Sequence, residues 1–189
     1  MDWVNWRDNF IGAFYETKQP KTISGILYEF MCTKYQSGKK YDDGWRIPPR
    51  SGNEAYFVHS TYKSGLSYHN RMFVTPFAIP VMIVDGVNRG TGNNRIVLHH
   101  LGINGHLSTH LQWKSLLSYS INHGTYNQRY HQIIPGFFDS PRKQVSAMAQ
   151  LTWQIPQTKW SLQAAIAADK GQLLQDNIGA QLTIQYHIF

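Results

Sequence analysis

Apolar and polar residues alternate along the C-terminal half of the chain. Between 177 and 189 every even position from 178 to 188 is apolar: Ile178, Ala180, Leu182, Ile184, Tyr186 and Ile188. Gly179, Gln181, Thr183, Gln185 and His187 stand between them. Successive side chains of an extended chain point to opposite faces, so a period of two predicts a β-strand. Residues 160–169 repeat the pattern, with Trp160, Leu162, Ala164, Ile166 and Ala168 against Ser161, Gln163 and Asp169. Residues 145–155 set Val145, Ala147, Ala149, Leu151, Trp153 and Ile155 against Ser146, Met148, Gln150, Thr152 and Gln154. Residues 111–122 set Leu111, Trp113, Leu117, Tyr119 and Ile121 against Gln112, Lys114, Ser118, Ser120 and Asn122. Noisier alternation predicts further strands at 9–17, 23–35 and 95–107.

The predicted connections alternate in length. Residues 18–21, 107–110 and 156–159 form tight turns, whereas about sixty residues separate Tyr35 from Arg95 and about twenty separate Tyr126 from Val145. Short turns on one side and long loops on the other characterise outer-membrane barrels. The expected fold is therefore all-β, an antiparallel transmembrane β-barrel in the bacterial outer membrane. Its tight turns lie in the periplasm and residues 36–94 form a long extracellular loop. A β-sandwich core would alternate in the same way but would have more even loops. Trp113, Trp153, Trp160 and Tyr186 cluster toward the tight-turn ends, where a membrane interface favours amphipathic rings. Seven strands is an odd number, and complete bacterial single-chain barrels have an even one. Residues 1–189 are thus expected to be a single β-barrel domain that is the C-terminal fragment of a larger barrel. The start of the chain, Met-Asp-Trp-Val-Asn-Trp, carries no apolar signal-peptide core, which agrees with that expectation. The lipid bilayer and the outer-membrane insertion machinery are the partners this fold implies.

Composition narrows the choice. Charged residues make up 15% of the chain and aromatics 14%, which argues against disorder. No run of eighteen apolar residues could form a membrane helix. The net charge of +7 is scattered rather than gathered on a stripe, which argues against nucleic-acid binding. Cys32, the single cysteine, excludes an internal disulfide. His99 and His100 point to opposite faces of a strand, and His100 and His106 lie about 20 Å apart along it, so neither pair suits a metal ion. No cofactor is expected.

Several segments carry a resemblance. They are Leu27-Tyr28-Glu29-Phe30 with Thr33-Lys34-Tyr35-Gln36-Ser37-Gly38, and Gly65-Leu66-Ser67-Tyr68-His69-Asn70-Arg71 leading to Thr75-Pro76-Phe77. Residues 94–102, Asn-Arg-Ile-Val-Leu-His-His-Leu-Gly, and 118–126, Ser-Tyr-Ser-Ile-Asn-His-Gly-Thr-Tyr, follow in the same order. Together these resemble the C-terminal part of the capsule assembly Wzi family of outer-membrane proteins, in its Bacteroidetes form. The resemblance implies an eighteen-stranded barrel, of which seven strands are well under half. It also implies a non-enzymatic, lectin-like role in holding capsular polysaccharide or exopolysaccharide at the cell surface. One departure is terminal: an aromatic usually stands two residues before the final Phe of such barrels, and here that residue is His187.

The long loop holds the side chains such a role needs. Trp45, Arg46, Arg50, Tyr56, Tyr62, Tyr68 and Arg71 are the candidate polysaccharide-binding residues, since aromatic faces pack on sugar rings and Arg matches carboxylates in bidentate fashion. The same aromatics, with Phe57 and Phe73, could instead pack the loop on itself. Glu29 lies among apolar strand residues and is expected to face the lumen, paired with a cation such as Lys114. A barrel hydrolase is the enzymatic alternative, with His99, Ser118 and Asn122 as the available groups. A small self-contained barrel with a structural or pore role is the other.

Overall fold

The computed structural model describes residues 7–19, 21–36, 55–57, 61, 66–69, 71–84, 87–126 and 140–186. Among them the secondary structure is entirely β. The strands are β1 Asn9–Glu16, β2 Gly25–Cys32, β3 Ser67–Tyr68, β4 Arg71–Met72, β5 Ile79–Val84, β6 Val87–Asn93, β7 Ile96–His106, β8 Leu111–Asn122, β9 Arg142–Gln154, β10 Trp160–Gly171 and β11 Asn177–Tyr186. Seven of them form one sheet in the order β1-β2-β7-β8-β9-β10-β11. Neighbours in the sheet are neighbours along the chain, except that β3–β6 are inserted between β2 and β7. All seven strands expected from periodicity are present, with ends shifted by three residues or fewer among the described residues.

The long connection contains structure that periodicity did not predict. β3 pairs with β4, and β5 pairs with β6 with an irregular register between Val81 and Ile83. The two-residue strands are too short to show any period. In β5–β6 the apolar run Ile-Pro-Val-Met-Ile-Val faces a polar, glycine-containing strand, so neither alternates. The readable signal was the dipeptide Asp85-Gly86 between them, a composition that favours two-residue hairpins.

In β9 and β10 exposure follows the alternation with the apolar positions outward, whereas β1 and β11 are exposed on both faces and β8 exposes Gln112 and Lys114 as well as Leu117. In β9, Val145, Ala147, Ala149, Leu151 and Trp153 are exposed, while Gln144 is buried and Ser146, Met148, Gln150, Thr152 and Gln154 are half-buried. In β10, Ala164, Ile166 and Ala168 are exposed and Ser161 is buried. In β8, Leu117 is 45% exposed, whereas Ser120 and Asn122 are fully buried. Antiparallel pairing lines these residues up in rows. Trp153, Leu162 and Ile184 form one apolar row, followed by Leu151, Ala164 and Leu182, and then by Ala149, Ile166 and Ala180. Alternate rows are polar: Gln154, Ser161 and Gln185, then Thr152, Gln163 and Thr183. Ser146 and Asp169, also paired across the strands, are joined by a hydrogen bond from the Ser hydroxyl to the carboxylate.

The chain forms two compact units. One comprises Met1–Phe10, Met31–Val97 and Ser120–Lys143; the other comprises Ile11–Phe30, Leu98–Tyr119 and Gln144–Phe189. In the first, Ile96, Phe77, Ala78 and Met72 are buried together with Thr33, Gln36, Asn93, Asn94 and Asn122. In the second, the Trp160 and Tyr186 rings lie 4.8 Å apart at the end of their strands. The fully buried Gln144 accepts hydrogen bonds from the backbone N–H groups of Leu173 (3.3 Å) and Leu174 (3.1 Å), fixing the β10–β11 connection. The turn before β2 is held by the Trp113 indole N–H, which donates to the Thr22 carbonyl at 2.8 Å. Gly105 lets that turn approach: a Cβ there would run into the Thr22 carbonyl.

Candidate functional site

In the first unit a belt of buried carboxamides ties the connecting segments down. Asn93 Nδ2 donates to the Phe77 carbonyl (2.7 Å) and to Asn122 Oδ1 (2.9 Å), and Asn93 Oδ1 accepts from the Gly124 N–H (2.9 Å). Asn122 Nδ2 in turn donates to Ser120 Oγ (2.9 Å) and to the Arg142 carbonyl (3.2 Å). The Thr33 hydroxyl donates to the Asn94 carbonyl at 2.8 Å and accepts from the Ile96 N–H at 3.0 Å. Ladder pairing stops where strands end, and a buried backbone group left there must find a side-chain partner. Asn supplies both a donor and an acceptor on one short arm, which suits that task.

Asn94 and Asp8 extend the belt to the loop. Asn94 Nδ2 donates to the Tyr56 carbonyl (3.2 Å), and the Tyr56 hydroxyl donates to Asp8 Oδ2 (3.1 Å). Asp8 Oδ1 accepts from the Tyr35 N–H at 2.8 Å. Arg95 lies 3.8 Å over the Tyr126 ring and donates through Nε to the Lys34 carbonyl. His123, just past β8, has its pKa pushed down to about 4, first by burial and then by the positive charges of Lys34 and Arg95. It is neutral at physiological pH.

The β3–β4 hairpin presents a different surface. Tyr68 pairs across the hairpin with Arg71. Its ring stacks with Phe73, with 6.2 Å between centroids and 15° between planes, and His69 meets it edge-on at 4.2 Å. Tyr68 and Phe73 are 64% and 73% exposed, and Arg71 is exposed as well. Two stacked rings held open to solvent beside a guanidinium offer a flat apolar platform with a bidentate donor. Chemically, that combination can receive a pyranose ring and a carboxylate.

The candidate residues thus separate. Tyr68 and Arg71 are together on the hairpin, joined by Phe73. Tyr56 is tied into the anchoring belt. Trp45, Arg46, Arg50 and Tyr62 lie outside the described residues. Glu29, half-buried on β2, packs its Cγ 3.4 Å from where a Cβ on Gly12 would stand. Lys114 stands on β8 and borders a cavity in the second unit. No ion pair joins Glu29 to Lys114. The expectation rested on the cost of a lone carboxylate facing lipid; Glu29 and Lys114 stand on β2 and β8, which β7 separates in the sheet.

The hydrolase grouping also changes. His99 bonds the Tyr28 hydroxyl at 2.8 Å and packs on Phe30 at 5.1 Å, away from Ser118. His100, on the opposite face of β7, meets Ser118 Oγ at 2.8 Å. Among the described residues no hydrogen bond reaches the other nitrogen of that imidazole. In comparisons with protein-family models, curated proteins and solved structures, none matches this chain.

Proposed function

We propose that the chain contributes seven strands to an outer-membrane β-barrel whose loops bind capsular polysaccharide or exopolysaccharide and help retain it at the cell surface, without catalysing a reaction. One observation carries the membrane part: in β9 and β10 most apolar residues are exposed, while the polar residues of the other face, Ser146, Gln150, Thr152, Ser161, Gln163 and Asp169, are buried or half-buried. Leu151, Ile166, Leu182 and Ile184 are 46%, 55%, 69% and 66% exposed. Apolar surface left in water costs roughly 25 cal/mol per Å², so a bare face of this extent is a poor design for a water-soluble sheet. In a bilayer the same residues meet acyl chains, and Trp153, Trp160 and Tyr186 lie at one end of the strands, as an interfacial girdle would. The polar rows then line the lumen.

The polysaccharide part is supported by the exposed Tyr68–Phe73 platform with Arg71 beside it, together with the resemblance to the capsule assembly Wzi family. Surface display with capsule staining in a strain lacking the native protein tests the whole reading. Restoration by the wild type, with loss of retention but normal outer-membrane level for a Tyr68→Ala, Phe73→Ala double variant, is the expected result. Recovery of the protein in the soluble fraction defeats the membrane part. Unchanged retention by the double variant defeats the polysaccharide part.

A further inference from the structure

We propose that the second unit holds a separate binding pocket for a sugar acid, at the tight-turn end of the polar rows. A cavity of about 500 Å³ opens there, a volume within the range of small-ligand sites. Three neighbouring strands furnish it in pairs: Asn104 and His106 from β7, Gln112 and Lys114 from β8, Gln150 and Thr152 from β9. The pairs arise because each pair of residues is two apart in the chain and so shares a face. The end of β1 and the turn after it close one side, with Ser24 on the wall.

The lining specifies the ligand. Four carboxamides (Gln19, Asn104, Gln112 and Gln150) and three hydroxyls (Thr17, Ser24 and Thr152) supply donors and acceptors side by side, the pattern that vicinal sugar hydroxyls require. The charged groups bordering the cavity are Lys114, Lys18 and Glu16. Neither lysine has an ion-pair partner among the described residues, so cations exceed carboxylates around the space. A ligand that satisfies both sets is polyhydroxylated and carries a carboxylate, which is the chemistry of a hexuronate. The pocket is also built rather than incidental. His106 Nδ1 shares a hydrogen bond of 3.2 Å with Ser24 Oγ, which fixes the ring and leaves Nε2 as its remaining polar atom. The Asn104 carboxamide packs onto Gly25, where a Cβ would lie 2.9 Å from both its Oδ1 and its Nδ2. Gly25 therefore makes room for the amide.

The pocket is distinct from the Tyr68 platform, and rests on the polysaccharide reading only for the choice of a uronate as probe. Ligand-observed NMR titration of the full chain in detergent, with glucuronate, glucose and inorganic phosphate, tests it. Glucuronate is expected to bind, glucose at least about tenfold more weakly, and phosphate not to displace it at equal concentration. Lys114→Met should weaken glucuronate binding about tenfold or more while circular dichroism stays unchanged, and Lys114→Arg should restore most of it. Tyr68→Ala should leave glucuronate binding unaffected even where it abolishes binding of the polymer, which separates failure of the platform from failure of the pocket. Equal binding of glucose, displacement by phosphate, or insensitivity to Lys114→Met each overturns the proposal.

Discussion

Asn93 and Asn122 are fully buried and hold each other at 2.9 Å, so each carboxamide supports partners on more than one segment. Asn122→Ala removes at once a donor to the Arg142 carbonyl, a donor to Ser120 Oγ and an acceptor for one N–H of Asn93, whose bond to the Phe77 carbonyl remains. Leaving a buried polar group without a partner costs about 1–3 kcal/mol, and a loss in that range is expected in denaturant unfolding, with Ser118→Ala as a milder comparison. His123 makes a pH prediction. Its folded pKa, about 4, lies below the ordinary value of 6.5, so the unfolded chain binds the proton more readily between those values. Stability therefore falls as pH drops from about 6.5 toward 4 and levels off below it. His123→Gln should flatten that slope in unfolding midpoints measured from pH 7 to 4. An unchanged slope would place the titrating group elsewhere.

At the scale of the strand, the inverted alternation separates two kinds of substitution on neighbouring residues. Leu151→Arg puts a charge into an exposed apolar row beside Ala164 and Leu182, whereas Gln163→Lys puts one into a polar row beside Thr152 and Thr183. In a bilayer, a lipid-facing Arg costs up to about 2–4 kcal/mol near the midplane, and a lumenal Lys costs little. Leu151→Arg should thus lower the folded, urea-resistant membrane fraction while Gln163→Lys leaves it near the wild type. Equal tolerance of both substitutions would contradict the lipid-facing assignment. The alternation itself was legible residue by residue, since β8 to β11 follow it almost without exception. The β3–β4 and β5–β6 hairpins were not, because strands of two residues, or strands of one polarity, contain no period. The stacking of Tyr68 on Phe73 depends on the hairpin and was hidden with it. So was the choice of His100 over His99 as the neighbour of Ser118, which depends on His100 and Ser118 standing on the same face of the sheet, level across β7 and β8.

Across the whole sheet, β1 and β11 are the edges. β11 is exposed at nearly every position, and in β1 Phe10 and Phe14 on one face and Ile11 and Tyr15 on the other are all about two-thirds exposed (65%, 60%, 62% and 64%). Edge strands carry unpaired backbone groups that hydrocarbon does not tolerate. The 189-residue chain in detergent is therefore expected to associate, through its edges or with further strands, rather than remain a stable single sheet. Analytical ultracentrifugation should show oligomers or heterogeneous assemblies. A monodisperse monomer with one cooperative thermal transition would mean that the edges satisfy each other.

The amino-acid pattern alone determined where the seven main strands run and which residues share a face, because a period of two is a local property of an extended backbone. It could not decide which face is covered, since a sandwich and a barrel write the same alternation. Nor could it bring Asn93 to Asn122, Asn104 to Gly25, or residues of β7, β8 and β9 around one cavity. Those contacts depend on strand order and register, which are set by pairing between segments far apart in the chain, and only the tertiary structure supplies them.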